Sequence, residues 1–315
     1  DAGLPFVGRA GKRLNELLEA ADIKREECYV TNVCKYRPPM NDFKRIDEMG
    51  ISLDDCINDV NKELREVNPN VVIALGDHAL HALTGRRKIT KMRGSVFPAL
   101  YGGFKVLPTI HPAALLRLES PWAQDEAAIV KSQVVINSEI VIIDLIKAKK
   151  ESFSKEFKSI PRTIDLITDA LKLYKFLNSY SDKEPAIDIE TFKCIPVLLA
   201  ICFNPHHIGV VPLGPIAGRD GALALQPHEY AAIYKTLAQW FARPDLKFVG
   251  QNLKFDADKL MAVSKIIHPF RRNFFAADTG LMMGTLYPEL PRRLEFSTSI
   301  FTNEPYYKDE GKEFN

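Results

Sequence analysis

Long apolar runs are the most obvious thing this sequence lacks. No stretch of about 18 uninterrupted apolar residues occurs in its 315 residues, so the sequence predicts no membrane-spanning helix. It also shows no secretory signal-peptide pattern. Hydrophobic residues make up 46% and charged residues 26% of the chain, as in ordinary globular proteins. We therefore expect a cytoplasmic protein that neither enters a membrane nor is secreted.

Cysteines and net charge are also scarce. The five cysteines show no close pairing, which argues against a disulfide framework and fits a reducing compartment. The formal net charge of +2 is too small to indicate a nucleic-acid partner, so such a partner would need local basic patches. The candidate patches are Lys35 with Arg37, residues 86–88, Lys91 with Arg93, and Arg271 with Arg272. Solvated surface charge remains the alternative for each patch.

The length of the chain exceeds one ordinary core and predicts two domains. Residues 151–161, rich in Ser, Lys and Glu, are the best linker candidate. We therefore predict one domain over residues 1–150 and a second over residues 162–315. The sequence begins with Asp1 rather than methionine, inside what looks like a motif. We expect a fragment that lacks sequence at both ends.

Both halves alternate helical and extended patterns, which predicts α/β folds. In the first half we predict strands at residues 28–33, 71–75 and 105–110, and helices at residues 10–21, 54–67, 79–83 and 122–150. Strands that alternate with helices favour a parallel sheet in a three-layer domain. In the second half we predict strands at 186–189, 197–203, 207–213 and 247–250, and helices at 227–241 and 253–263. Three consecutive strands followed by alternation predict a mixed sheet flanked by helices.

Two acidic residues end an apolar run at residues 185–191, and a third follows downstream. Asp188 and Glu190 are two positions apart, so on a strand they point to the same face near its carboxyl end. Asp256 supplies a third carboxylate. Such ligands suit Mg²⁺ or Mn²⁺, and two of these ions about 4 Å apart hold the attacking and leaving oxygens of a phosphodiester. The pattern favours nucleic-acid hydrolysis over the alternative, incidental carboxylates at an exposed strand end.

The motifs of this half occur in a recognisable order, Asp188-Ile-Glu-Thr191, then Asn252-Leu-Lys-Phe-Asp256, then Asp278-Thr279. From about residue 162 to the carboxyl end, the chain resembles the proofreading 3′–5′ exonuclease domain of family A DNA polymerases, in the DEDD superfamily. The resemblance implies a ribonuclease H-like mixed sheet and two bound divalent cations, Mg²⁺ or Mn²⁺.

The same resemblance implies a role for each residue of this site. Asp188 and Glu190 would hold the ion that activates the attacking water. Asp188 and Asp256 would hold the ion beside the leaving 3′ oxygen. Thr191 and Asn252 would orient the terminal nucleotide of a single-stranded 3′ end.

Other positions complete the comparison with this family. We expect Phe255 to pack in the core beneath the site, and Asp278 to cap the helix that follows it. The family also needs a fourth acidic ligand in a Tyr-x-x-x-Asp motif, whereas residues 306–309 read Tyr-Tyr-Lys-Asp. Because this spacing does not fit, we predict very weak or no exonuclease activity for this stretch of sequence by itself.

The amino-terminal half carries five separated motifs. They are GLPFVGRAG at residues 3–11, YVTNVCKYRPP at 29–39, ALG at 74–76, RG at 93–94 and HPAALLR at 111–117. In this order they resemble a family 4 uracil-DNA glycosylase. The resemblance implies that Phe6 stacks on an extruded uracil, Asn32 pairs with its polar edge, and His111 stabilises the oxygen where charge grows as the base departs. It also implies that Lys35 and Arg37 hold the DNA backbone.

Plainer roles remain open for several of these residues. His111 could be a turn residue at a strand end, and Asn32 a capping or turn side chain. His78 and His81 lie three positions apart and could suggest a metal pair. Without a third ligand, one exposed helical face is the better interpretation.

Family 4 enzymes also hold an iron–sulfur cluster on four cysteines, so the ligand positions can be compared. Cys56 stands where one ligand belongs, but Tyr36 occupies the position of another, and Cys34 is displaced by two residues. Because a cluster needs its full set of thiolates, these differences argue against an iron–sulfur cluster in this chain.

The two resemblances together suggest one kind of protein. A glycosylase-like domain followed by a proofreading exonuclease resembles the amino-terminal part of bacteriophage-type family A DNA polymerases. We therefore expect a DNA partner with a single-stranded 3′ end and uracil as a candidate base, a polymerase domain after residue 315, and a bacterial or phage-infected cell as the setting. The alternative is a non-catalytic glycosylase-like binding module on a stand-alone repair exonuclease.

Overall fold

The computed structural model describes residues 4–41, 43–118, 138–158, 160–181, 184–218, 221–262, 265 and 274–306. The chain divides into two compact units. The first unit consists of Asp1–Ser159 and Glu295–Glu313, and the second of Ile160–Leu294 and Phe314–Asn315. No helix within these described ranges is both long enough and apolar enough to cross a membrane.

The first unit is built on a three-stranded sheet of order β1-β3-β2. Its strands are β1 Val71–Leu75, β2 Phe97–Pro98 and β3 Lys105–Thr109. Its helices are α1 Arg9–Ala20, α2 Leu53–Val67, α3 Asp77–Thr84, α4 Ile89–Met92, α5 Pro112–Leu118 and α6 Ser138–Glu151. Strands β1 and β3 are parallel, as predicted, whereas the short β2 runs antiparallel to β3. The α/β fold class is confirmed.

One predicted strand of this unit is wrong, because residues 28–33 form no strand. Side-chain hydrogen bonds fix the segment in place of the backbone hydrogen bonds of a sheet. Tyr29 Oη donates to Glu63 Oε1 at 2.5 Å, and Thr31 Oγ1 donates to Glu63 Oε2 at 3.2 Å. The predicted helix at residues 122–150 is observed from Ser138 onward, and its part at residues 122–137 lies outside the described residues.

The second unit is built on a six-stranded mixed sheet of order β11-β10-β5-β6-β7-β4. Its strands are β4 Thr163–Leu166, β5 Ala186–Phe192, β6 Ile195–Asn204, β7 His207–Pro212, β10 Phe248–Gly250 and β11 Phe275–Asp278, with β8 Ile216–Gly218 and β9 Gly221–Leu223 forming a separate pair. Strands β5, β6 and β7 are antiparallel neighbours, and β10 and β11 continue the sheet parallel to β5. The mixed sheet expected for a ribonuclease H-like domain is therefore present.

Helices cover this sheet and close an aromatic core. They are α7 Ala170–Asn178, α8 Pro227–Phe241, α9 Leu253–Ala262 and α10 Thr279–Leu286. The helix that follows, α11 Leu294–Phe301, belongs to the first unit from Glu295 onward. Helix α8 begins with a capping box, in which Gln226 and Glu229 satisfy each other's backbone amides. Trp240, Phe241 and Phe248 pack within 5.2 Å of one another, ring centre to ring centre. This core fixes strand β10 next to β5.

The carboxyl-terminal end of the second predicted domain groups with the first unit instead. Lys147 on α6 donates to the carbonyl oxygens of Gly94 at 2.5 Å, Ser299 at 2.9 Å, and Thr302. Arg93 forms a buried ion pair with Asp144, and its Nη1 donates to Ser299 Oγ at 3.0 Å. The domain boundary at residues 151–161 stays a prediction. The compact units differ from the predicted domains in one respect, because the last helix groups with the first unit.

Candidate functional site

Strand β5 presents alternate side chains to its two faces. Ile187 and Ile189 are buried in the core, whereas Asp188, Glu190 and Phe192 are exposed. This alternation follows from the period of two along a strand. The two carboxylates predicted from the sequence therefore project together from one face of β5. They lie near the middle of the strand rather than at its carboxyl end as predicted, because β5 continues to Phe192.

Helix α9 brings the third carboxylate to the same strand. Asp256 is 3% exposed, and its Oδ1 accepts a hydrogen bond from the amide of Ile189 at 3.1 Å. Ile189 lies between Asp188 and Glu190 in the strand, so this hydrogen bond fixes Asp256 against that stretch of β5. Burial and the nearby Asp188 charge raise the pKa of Asp256 to about 6, although the Ile189 amide acts in the opposite direction.

Asp278 anchors the helix that carries Asp256. Its Oδ1 accepts from the amides of Gly280 at 2.8 Å and Leu281 at 3.1 Å, which caps α10 as predicted. Its Oδ2 accepts from the amide of Leu253 at 2.8 Å, the first residue of α9. One carboxylate thus caps the amino termini of two helices. The sequence predicted the cap of α10 but not the contact with α9.

The turn between β10 and α9 is held by a small polar network. Thr279 Oγ1 contacts the Gln251 side chain and lies 3.3 Å from the carbonyl oxygen of Gly250. Gln251 Nε2 donates to the carbonyl oxygen of Arg292 at 2.7 Å. Asn252 is exposed and takes a left-handed φ of 59°. Such a conformation suits asparagine better than most residues, and it turns the chain into α9 beside β5.

Two aromatic residues near these carboxylates are exposed rather than packed. The expectation that Phe255 packs beneath the site is wrong, because its side chain is 40% exposed and Lys259 Nζ lies 5.5 Å from the ring centre. Phe192, on the exposed face of β5, has Lys193 Nζ at 5.5 Å in the same arrangement. Thr191, between Glu190 and Phe192, is half-buried.

In the first unit, Phe6 and His111 stand together, as the sequence motifs predicted. Their rings stack with centres 5.5 Å apart and planes 28° apart. Phe6 takes a left-handed φ of 58°, and a Cβ atom on Gly11 would come within 1.6 Å of the Phe6 carbonyl oxygen. The absence of a side chain at Gly11 therefore allows the turn that aims Phe6 at His111. We call these two rings the Phe6–His111 pair.

A backbone amide two residues further along the chain orients the imidazole of His111. Its Nδ1 accepts a hydrogen bond from the amide of Ala113 at 3.1 Å. In the neutral ring the proton then resides on Nε2, which makes Nε2 the donor atom. Gly76 approaches the same side chain closely, since a Cβ atom there would lie 3.2 Å from the Cβ atom of His111.

The remaining predicted residues of this unit are placed differently. Asn32, Lys35 and Arg37 are all exposed. Lys35 Nζ pairs with the Glu63 carboxylate and also contacts Thr31 Oγ1. Burial opposes ionisation of Glu63, but hydrogen bonds from Lys35, Tyr29 and Thr31 lower its pKa overall. The positive charge of Lys35 is therefore largely neutralised by Glu63.

Residues 1–130 match the family model described as the uracil DNA glycosylase superfamily. The chain therefore carries a uracil DNA glycosylase superfamily domain at its amino terminus. Over 120 residues this glycosylase domain is 43% identical to a type-4 uracil-DNA glycosylase of Thermotoga maritima, a match that covers 38% of this chain and 60% of the relative.

A second similarity extends beyond the glycosylase domain. The chain is 27% identical over 277 residues to a DNA polymerase of Bacillus phage SP01, which covers 82% of this chain and 28% of the polymerase. The chain thus spans little more than a quarter of that relative. Among solved structures, the catalytic core of RRP6 from Trypanosoma brucei matches with 16% identity and a TM-score of 0.34, over 46% of this chain and 36% of that one.

Iron–sulfur ligation can be tested against the glycosylase domain's own cysteines. Cys34 and Cys56 are buried in one small apolar cluster, and Cys28 is half-buried outside it. Burial and the neighbouring Cys34 raise the pKa of Cys56 to about 11. A cluster needs four thiolates, and Cys34 and Cys56 supply only two buried thiols, so these residues do not fit one.

The carboxylates of the second unit are of the kind that divalent cations prefer as ligands. Nowhere in the described parts of the chain do three His, Cys, Asp or Glu side chains lie close enough together to hold a metal ion. Asp188 and Glu190 lie on β5 and Asp256 is hydrogen-bonded to the same strand, but the three carboxylates are not gathered into a finished ligand set. Burial, and after it the charge of Asp188, raises the pKa of Asp256, and a bound cation would offset both effects. We call these three residues the carboxylate site.

Proposed function

We propose that the second unit is a two-metal 3′–5′ exonuclease and serves as the proofreading part of a DNA polymerase. The observation that carries this proposal is the hydrogen bond from the Ile189 amide to the Asp256 carboxylate. It fastens the helix carboxylate to β5 between Asp188 and Glu190. The similarity to a phage DNA polymerase across most of the chain supports the same assignment, and both similarities point to DNA processing.

The proposal assigns each residue a limited task. Bound Mg²⁺ or Mn²⁺ would supply an activated water and charge neutralisation at the scissile phosphate. Asp188, Glu190 and Asp256 would hold the two ions. Thr191 and Asn252 would hydrogen-bond the terminal nucleotide and orient its phosphodiester.

The proposal also covers the substrate, the domains and the setting. The substrate is the single-stranded 3′ end of DNA, and a polymerase domain follows the exonuclease domain in the chain. The domains are residues 1–150 and 162–315 with residues 151–161 as linker. The setting is the cytoplasm of a bacterial or phage-infected cell.

Metal binding provides a test that does not depend on the fourth acidic ligand. We expect Mn²⁺, followed by electron paramagnetic resonance, to bind the chain, and Asp188→Asn to weaken binding at least tenfold. Asp258→Asn is the matched control, because Asp258 is an exposed carboxylate on the same helix as Asp256. Equal Mn²⁺ affinity in the wild type and in Asp188→Asn would overturn the metal assignment.

The activity test uses the longest natural protein that contains these residues. We expect it to shorten single-stranded DNA from the 3′ end in Mg²⁺, and Asp188→Ala to abolish this, since removal of a metal ligand typically costs several kcal/mol of transition-state stabilisation. Degradation that persists undiminished in Asp188→Ala would assign the nuclease to other residues.

A second function, recognition of an extruded base by the glycosylase domain, is favoured by the Phe6–His111 pair. Phe6 offers a stacking face and His111 Nε2 a hydrogen-bond donor, which are the two contacts that an extruded uracil needs. Lys35, Arg37 and Asn32 remain proposed contacts to the backbone and the base.

Uracil excision separates an enzyme from a binding module. A labelled uracil-containing oligonucleotide is incubated with the natural protein extended at its amino terminus. An abasic product that disappears in His111→Ala supports a glycosylase. Uracil-dependent binding without excision, weakened by Phe6→Ala, supports the non-catalytic module instead.

A further inference from the structure

The segment from α3 to the end of α4 concentrates positive charge in the first unit. Arg86, Arg87, Lys88 and Lys91 are all exposed, and Asp77 is the one carboxylate in residues 77–91. The chain as a whole carries a formal net charge of only +2, so this is a local feature. We call residues 86–91 the basic segment.

We propose that the basic segment is the surface by which the first unit holds the phosphate backbone of DNA, next to the Phe6–His111 pair. This inference rests on the proposed DNA-binding function and names the surface that performs it. Phosphate contacts of this kind supply most of the sequence-independent affinity for DNA.

The basic segment is held in shape before any ligand arrives. Asp77 Oδ1 accepts from the backbone amides of Lys88 at 2.7 Å and Ile89 at 3.1 Å, and Asp77 Oδ2 lies 3.5 Å from Arg87 Nη1. The guanidinium of Arg86 lies over the ring of Phe97, 4.8 Å from its centre. A surface ordered in advance loses less conformational entropy on binding.

Two contacts place the basic segment beside the Phe6–His111 pair. Asp77 directly follows Gly76, whose backbone closely approaches His111. Ile89 packs on the same apolar cluster as Phe6. Asp77, which binds the backbone amide of Lys88, is therefore next in sequence to the residue that contacts His111. An enzyme that extrudes a base must hold the backbone on which the nucleotide turns.

The other basic patches of the sequence are less suited to this task. Lys35 is held in a close ion pair with Glu63, whereas the Arg87–Asp77 pair is longer and more exposed. Arg93 is buried against Asp144. Arg271 and Arg272 lie outside the described residues. Arg37 is exposed and is therefore included as a competing contact in the experiment.

The experiment measures how duplex affinity depends on salt. A fluorescent dumbbell duplex with a central uracil and no free 3′ end is titrated with the full chain in EDTA, so that the exonuclease site has neither terminus nor metal. The basic-segment variant is Arg86→Gln/Arg87→Gln/Lys88→Gln. The charge-matched control is Lys24→Gln/Lys62→Gln/Lys158→Gln, which changes exposed lysines elsewhere in the unit.

The logarithm of the binding constant falls as the logarithm of the salt concentration rises. We expect this slope to become shallower in the basic-segment variant, by about 0.9 for each phosphate that is no longer neutralised and roughly 2 to 3 in all. The control should keep the wild-type slope. Arg86→Lys/Arg87→Lys should keep it as well, because charge is retained, and this variant guards against loss of folding as the cause.

Two results would overturn the inference. Only the second would also overturn the proposed recognition of DNA by the first unit. An unchanged slope in the basic-segment variant, with a reduced slope in Lys35→Gln/Arg37→Gln, moves the DNA contact to the other patch and leaves the proposed function intact. No binding of the dumbbell by the wild-type chain removes both the surface and the proposed DNA recognition by this unit. The Mn²⁺ experiment on the carboxylate site is unaffected by either result.

Discussion

Gly11 lies in the first turn of α1, against the backbone of Phe6. A Cβ atom there would meet the Phe6 carbonyl oxygen at 1.6 Å and the carbonyl carbon at 2.3 Å. Neither atom can move aside like the end of a flexible side chain. Phe6 is already in the left-handed region, so a shift of its backbone would also displace its ring from His111.

We predict that Gly11→Ala destabilises the first unit by about 1–3 kcal/mol, the usual cost of overpacking. Gly8→Ala is the control, because Gly8 has φ of −87° and nothing within 4 Å of an added Cβ atom. Its cost should stay below about 1 kcal/mol, since alanine is a poorer N-cap residue than glycine. Urea denaturation measures both. Equal losses in the two variants would mean that Phe6 does not depend on Gly11.

Part of these sites was predicted only through the family resemblance. The resemblance implied that Phe6 and His111 belong to one pocket, and the structure brings the two rings together. The partner of Lys35 could not be predicted, since Glu63 is 28 positions away and meets it only through the packing of α2. The exposure of Phe255 was missed for a similar reason, because a helix pattern does not say which neighbours cover its face.

Among the secondary-structure elements, α9 and α10 depend on one side chain. Asp278 accepts amide hydrogen bonds from the first turns of both helices, whereas Asp169 caps only α7 through the amide of Lys172 at 2.7 Å. Asp278→Ala should therefore cost about twice as much as Asp169→Ala, with about 1 kcal/mol for each cap removed. Thermal or urea unfolding of the second unit measures the difference. Similar losses for the two variants would show that the α9 contact contributes nothing.

Helix α6 contains a lysine whose burial makes stability depend on pH. Burial lowers the pKa of Lys147 from 10.5 to about 8, although Asp144 nearby acts in the opposite direction. Between these two values the unfolded chain holds a proton that the folded chain has released. The free energy of unfolding should therefore rise as pH increases from about 8 to 10.5, by at most about 1.4 kcal/mol per pH unit from this group.

Urea denaturation at pH 8 and pH 10 tests this dependence. We expect the rise attributable to Lys147 to disappear in Lys147→Met and to persist in Lys150→Met, which changes an exposed lysine on the same helix. A wild type and a Lys147→Met variant with identical pH dependence would show that Lys147 keeps an ordinary pKa in the folded protein.

Local elements were predicted well where a backbone ladder or a cap follows from nearby residues. The apolar run of β1 and the helix α2, with its cap at Ser52, needed no distant information. The segment at residues 28–33 also suggests a strand by its sequence, but it joins none of the sheets that the described residues form. Pairing is a property of the whole sheet, so sequence alternation could not decide this case.

Across the whole molecule, the chain passes from the first unit to the second and then returns. Residues from Glu295 onward group with the first unit, although the sequence predicted one continuous second domain. Composition gave no sign of this return, because α11 resembles any short apolar helix. The contacts that hold it are buried polar ones, Arg93 with Ser299 and Lys147 with two carbonyl oxygens of the segment.

The returning segment also places an aromatic side chain in the core of the first unit. Tyr306 is 8% exposed and packs with Leu80, Met92 and Phe97, whereas Phe301 in the same segment is 59% exposed. Tyr306→Ala should therefore destabilise the first unit by about 3 kcal/mol, as large-to-small core changes do, and Phe301→Ala by well under about 1 kcal/mol. Hydrogen exchange on β1 and β3 reports this unit separately from the second. If Tyr306→Ala leaves exchange on these strands unchanged, the segment only touches the first unit and contributes nothing to its stability.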